Sequence, residues 1–344
     1  MKNKKLSIFI IVAIISMMMI GCDDKKDKKD PIDENIWTEE TLPDTISSLV
    51  KLDPEYSPYK IARSLYLDST GILEVYEGVE ILMNPGTDIL GFGDVKMKGT
   101  EGEPISIKAA VADSIWGQIF IQWGSCSLSY VKLEGSGKTF SVESYPTIYI
   151  KDGDLFCYHT DIISDFTAVR TFRSNVHLDN CLFSVGGEVM LLDAGYAVVE
   201  NCIVDGTNLD GIEYQYTDNG IIRNNTIMSS RDDAIDVNDC RNLLIENNRI
   251  YNTIDKGISL GADQNMYPSS ATIKNNIVVN CGIGIAVKDS ADAIIDRNTI
   301  YNSKVGIEIY YKQFFGGATG HITNTIIADC DTTIKCVNTG YQST

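Results

Sequence analysis

Four aspartates and two lysines in the second half of the chain are the residues best placed to do chemistry. Asp210 opens an Asp-Gly-Ile step, Asp232, Asp233 and Asp236 lie together in RDDAIDV, Lys256 precedes Gly257-Ile258, and Lys288 follows in GIAVK. Asp210, Asp233 and Lys256 fall at successive intervals of 23 residues. If each interval is one turn of a coil, parallel strands ~4.8 Å apart stack the three side chains at one corner. Carboxylates gathered that closely do not all stay ionised without a cation. Ca2+ is one answer, because its flexible shell takes several carboxylate oxygens. The other is an ion network in which Lys256 and Arg231 neutralise the aspartates. Both readings stand at this level.

The elements that must position these residues are the turns of an internal repeat running from His177 to Cys336. One column holds Cys181, Cys202, Asn225, Asn248, Asn276, Asn298 and Asn324, and a second reads Gly211-Ile212, Ala234-Ile235, Gly257-Ile258, Gly284-Ile285 and Gly306-Ile307. A period in the low twenties, with two short β-branched segments per unit and Asn or Gly at the corners, marks stacked coils. Leucine-rich repeats would need a Leu ladder and a helical segment in each turn. Ile and Val at a period of two instead predict an all-β chain, a single right-handed parallel β-helix of about a dozen coils. The isoleucines of the second column point inward, so alternation turns two lines outward. One is Glu213, Asp236, Ser259, Ala286 and Glu308; the next is Gln215, Asn238, Gly261, Lys288 and Tyr310. Glu213, Asn238 and Tyr310 on these lines, with Arg231 beside them, are candidate substrate contacts. Asn suits the corners because it tolerates left-handed backbone and bonds to its equivalents in neighbouring coils.

Charge and targeting narrow the partners. The 344 residues carry a formal charge of −18, which disfavours nucleic acid and suits a cation. The opening MKNKKLSIFIIVAIISMMMIGC has an export signal's basic start and short apolar run, too short and wrongly flanked for a permanent span. Its ending resembles a bacterial lipobox, which implies cleavage after residue 21 and acylation of Cys22. A lipid-anchored protein of the bacterial cell envelope, at the outer membrane or cell surface, is therefore expected. Residues 22–58 read as a charged, disordered tether and N-terminal cap, and 59–344 as the β-helix. The cysteines show no metal-binding spacing and are expected mostly as free, buried thiols, with Cys330–Cys336 the pair closest to a bridge.

Between Lys132 and Phe172 the repeat is least regular, and Phe140, Tyr145, Tyr149, Phe156, Tyr158 and Phe166 make it aromatic. Such a cluster either fills a gap in the core or stacks on sugar faces. His159, His177 and His321 are too scattered for a His-rich metal site.

The text Glu77-Gly78-Val79, then Gly99-Thr100 with Pro104-Ile105, resembles the first coils of many bacterial surface β-helix proteins. The progression Asp210-Gly211, Asp232-Asp233-Ala234-Ile235-Asp236 and Gly257-Ile258-Ser259-Leu260-Gly261 resembles the calcium-dependent pectate lyases of polysaccharide lyase family nine. That resemblance implies a pectate lyase-like fold, an acidic polysaccharide as partner, and Ca2+ held by Asp210, Asp232, Asp233 and Asp236. The chain departs from it at Ser259, which stands where the family's base lysine would be; Lys256 or Lys288 would have to replace it. The segments DKGISLG, GIGIAVKDS and YYKQFFGGA also resemble a broad set of bacterial β-helix repeat proteins without a settled activity. The Gly-His-Gly element of polygalacturonases is absent. Two functions follow: a calcium-dependent lyase acting by β-elimination, or a non-catalytic glycan-binding or structural β-helix protein. A monomer is expected in either case.

Overall fold

Nearly every short segment of this chain alternates apolar and polar residues, and rolling such segments into a tube lets each bury one side. The computed structural model describes residues 42–140, 143–262, 267–312 and 316–337, which fall within one compact unit, Ile36–Thr344. The export signal, Cys22 and most of the expected tether lie outside the described residues. Among those described, the one helical segment is a 3-10 turn at Pro54–Tyr56, and no helix is long and apolar enough to cross a membrane.

The architecture is a parallel β-helix. Thirteen parallel strands form one long face, from Thr45–Ile46 at one end to Thr332–Val337 at the other. Two further faces complete each coil, and the strands Ser125–Glu134 and Asp154–Ser164 are long enough to belong to both. Register runs coil on coil: Ile212 pairs with Ile235, Ile235 with Ile258, Ile258 with Ile285 and Ile285 with Ile307. All five are fully buried, in a core that continues from Ile46 to Ile307. Each such side chain contributes about 1.5–3 kcal/mol of burial.

Two sequence expectations need correction. The solenoid begins before Tyr59, because Thr45–Ile46 pairs with Tyr66–Leu67 and Leu49–Leu52 with Ile72–Val75. Part of the segment expected as a cap is thus already a coil. The Asn column makes the expected bonds between equivalents in neighbouring coils but does not form the left-handed corner. The residues with left-handed backbone are Asn224, Asn247 and Asn275, one position earlier, where Asn is tolerated. Asn225, Asn248, Asn276 and Asn298 are instead buried in the interior. Asn248 Nδ2 donates to Ile222 O (2.9 Å) and Asn276 Oδ1 (3.0 Å), while its Oδ1 accepts from Asn225 N (3.0 Å). The ladder ends at Thr325, whose Oγ1 accepts from Asn298 N, so Asn324 belongs to the corner column. Cys181 and Cys202 continue the buried column, and Cys202 N donates to Asn225 Oδ1. Cys126, Cys157, Cys181, Cys202, Cys240 and Cys281 are buried free thiols, and Cys330 and Cys336 are free as well.

Candidate functional site

The long face differs from an ordinary solenoid face because the outward residues Glu213, Asp236, Ser259, Ala286 and Glu308 are buried too. The strands Ile235–Asn238 and Lys256–Gly261 are buried at every position, so Asp236 and Ser259 lie in a groove. The outward line is continuous in register: Arg170, Met190, Glu213, Asp236, Ser259, Ala286, Glu308 and Lys335 pair in sequence.

The corner ladder forms as its spacing predicts. Asp210 Oδ1 accepts from Asp233 N (2.9 Å), and Asp233 Oδ1 accepts from Lys256 N (3.1 Å). Lys256 then bends its ammonium back to Asp233, 3.1 Å from Oδ1, and to Asp255. Burial alone would lower the Lys256 pKa, but these carboxylates outweigh it and leave the group above the ordinary lysine value. Lys256 is thus ion-paired with Asp233 and Asp255, as one half of the expected ion network. Arg231 is not the other half: it is exposed and makes no ion pair among the described residues.

The expected four-aspartate cluster is redistributed. Asp210, Asp232 and Asp233 each offer an oxygen within 4.8 Å of the others, and so do Glu188, Asp210 and Glu213. Asp210 is the shared member. Asp236 belongs to neither set; it faces Lys288, whose Nζ is 3.6 Å from Asp236 Oδ1, and Asn238, whose amide donates to its other oxygen. Glu188 escapes the repeat pattern because it occupies the position held by Gly211 in the next coil, just before the paired Val189 and Ile212. Its coil lacks the Gly-Ile signature that aligned the others, and only the register brings it to Asp210.

Electrostatics follow from this crowding. Burial, then the Asp236 charge, pushes Asp210 up to about 9. Burial pushes Glu188 up to about 7, with Arg170 opposing and Asp236 adding to it. Asp233 is raised only to about 6, because Lys256 and Lys288 offset burial and Asp236. Among the described residues, no lysine, arginine or histidine forms a salt bridge with Glu188, Asp210 or Asp232. Asp236 Oδ1 is buried without a hydrogen bond. Several hard oxygens, concentrated charge and few protein cations are a donor set that fits Ca2+. Tyr310, paired in register with Lys288, has its hydroxyl pushed up to about 12 by burial.

Elsewhere, His177, Asp179 and Glu200 also converge, but Arg223 already holds Glu200 through two contacts of 2.7 Å. The expected aromatic cluster is split: Tyr149 lies on the long face, while Phe156 and Tyr158 are exposed on a strand of the other faces.

Fold and register together define a β-solenoid protein with a charged groove on its long face. The chain belongs to the right-handed β-helix region family, whose model matches residues 121–268 and 265–343. No curated protein sequence matches the chain. Similar solved structures include the periplasmic alginate epimerase AlgG, 13% identical with a TM-score of 0.48, over 78% of this chain and 77% of that one. An alginate lyase from Paenibacillus sp. is 13% identical with a TM-score of 0.42, over 86% and 98% of the two chains. The A-module of a mannuronan C-5 epimerase from Azotobacter vinelandii is 11% identical with a TM-score of 0.34, over 83% and 88%.

Proposed function

We propose that the groove takes an acidic polysaccharide and, with Ca2+, acts on it as a lyase by β-elimination. Fold alone carries no activity. The observation that carries the reading is the pair of three-carboxylate sets sharing Asp210, beside a buried lysine, Lys288. In this reading Glu188, Asp210 and Glu213, with Asp232 at the rim, hold the cation. When bound there, Ca2+ supplies a Lewis acid that grips the uronate carboxylate and draws charge from C5. Lys288 is the base that takes the C5 proton as the C4–O bond breaks and a C4=C5 double bond forms, while the departing oxygen takes a proton from solvent water. Lys256 keeps Asp233 in place and takes no proton. Tyr310 and Asn238 flank Lys288 along the groove and orient the sugar, with Arg231 reaching it from the exposed corner.

A second reading, binding without turnover, is favoured by one fact: both lysines have carboxylate partners, Lys256 with Asp233 and Asp255, Lys288 with Asp236. Ultraviolet absorbance of unsaturated product separates the two. The protein is incubated with pectate, alginate or glycosaminoglycans, in calcium or in EDTA. A calcium-dependent rise on one polymer is expected. A flat trace on every polymer, with calcium still raising the melting temperature, would leave a binding protein with a structural cation and sink the lyase reading.

In the same proposal the export signal and Cys22 tether the solenoid to the bacterial envelope. Palmitate labelling that is abolished by Cys22→Ala tests the anchor.

A further inference from the structure

The long face carries a second feature, toward the N-terminus from the carboxylates. Phe120 and Tyr149 are register partners on its outward line, with ring centroids 5.2 Å apart. The Arg170 guanidinium sits over the Tyr149 ring at 5.9 Å. On the neighbouring line Lys151 lies 6.0 Å from the Phe172 ring. At the corner, Trp123 stacks on Phe92 at 5.4 Å with the planes 20° apart. Trp123 is 67% exposed.

We propose that this strip is a glycan-binding platform for uronate residues, upstream of the carboxylate groove and independent of any cation. It rests on the reading above only in taking the same acidic polymer. Three observations carry it.

Trp123 has φ +65, a backbone conformation that bulky residues rarely adopt. The equivalent corner residues in later coils, Asp152, Arg173, Asp193 and Tyr216, share the positive φ, so the corner imposes this conformation on whatever residue stands there. A tryptophan kept at a position that disfavours it, and left in solvent, points to a surface role.

The strip is cationic on a chain of formal charge −18. Arg170 Nε is buried without a hydrogen-bond partner, and Arg173, 4.8 Å from the Phe172 ring centroid, is paired with Asp152. Arg170 and Lys151 form no salt bridge among the described residues, although Arg170 acts on Glu188 and Lys151 on Asp152 at longer range. Aromatic faces meet the apolar C–H faces of a pyranose, and rungs ~4.8 Å apart match the length of one ring.

The rings are packed against one another too closely for a planar base to slide between them. Single-stranded nucleic acid uses open stacking platforms, which these rings do not offer.

The test measures affinity in EDTA, which removes the calcium-dependent reading from the result. Titration calorimetry of the full chain is run with hexamers of galacturonate and of mannuronate, a neutral glucose hexamer and a single-stranded oligonucleotide as probes. Trp123→Asn suits the backbone better than tryptophan, so it is expected to keep or raise the melting temperature while weakening uronate binding about tenfold, ~1.4 kcal/mol. Arg170→Gln is expected to weaken it similarly and to flatten its salt dependence. The proposal is overturned if neither uronate hexamer binds in EDTA, if the neutral hexamer or the oligonucleotide binds as tightly, or if Trp123→Asn binds like the parent. Loss of lyase activity alone, with EDTA affinity intact, would end the catalytic reading and leave the platform standing.

Discussion

The Lys288 side chain reaches Asp236 by lying across Gly261. A Cβ at residue 261 would stand 2.4 Å from Lys288 Cε and 2.7 Å from its Cγ, so a bare backbone at 261 is what lets Nζ come to 3.6 Å from Asp236 Oδ1. The glycine is needed for space and not for torsion. It sits two residues beyond Ser259, where the resembling lyases carry their base, and it opens the path by which a lysine from the next coil reaches the same groove.

Gly261→Ala should therefore keep the fold, since the clash falls on a flexible side chain, but move Nζ out of place. Turnover is expected to fall on the order of 10- to 100-fold with little change in melting temperature. Equal losses of stability and rate would show that Gly261 serves the coil and not Lys288.

Lys256→Met should act the other way. Lys256 and Asp233 are both buried, and removing one partner of a buried pair costs about 3–5 kcal/mol. The urea midpoint should drop strongly. Activity per folded molecule should be kept; its abolition in a stably folded variant would return Lys256 to the role of base.

Asn248→Ala tests the interior ladder. The substitution strands Asn225 N, Ile222 O and part of Asn276, and each buried group left unpaired costs about 1–3 kcal/mol. A loss of at least ~2 kcal/mol by denaturant unfolding is expected. A neutral effect would mean the column is held by its strands alone.

The carboxylates give stability a definite pH sign. Asp210, Glu188 and Asp233 titrate at about 9, 7 and 6 in the folded protein, against ~4 in an unfolded chain. Between those values the folded state holds more protons, so their stabilisation is complete below about pH 4 and is lost as pH rises through 6, 7 and 9. In EDTA the melting temperature should fall between about pH 5 and pH 9, and calcium should reduce that fall. A flat profile in EDTA would show that the groups are not buried together.

The sequence by itself determined the solenoid. Ile212, Ile235, Ile258, Ile285 and Ile307 recur at the coil period because each must fill the same interior slot, and a buried slot tolerates few residue types. The same logic made the Asp210–Asp233–Lys256 ladder legible, since equal spacing becomes stacking. Outside the clean repeat that signal fails. Glu188 could not be paired with Asp210 because its coil lacks the Gly-Ile step, and the strip from Phe92 to Phe172 lies in coils whose outward residues obey no period. Which carboxylate each lysine pairs with, Asp233 and Asp255 for Lys256 and Asp236 for Lys288, was also hidden, because it depends on side-chain paths across neighbouring coils. Inward positions are constrained by packing and can be read from residue type. Outward positions are constrained only by what they meet, and register in three dimensions decides that.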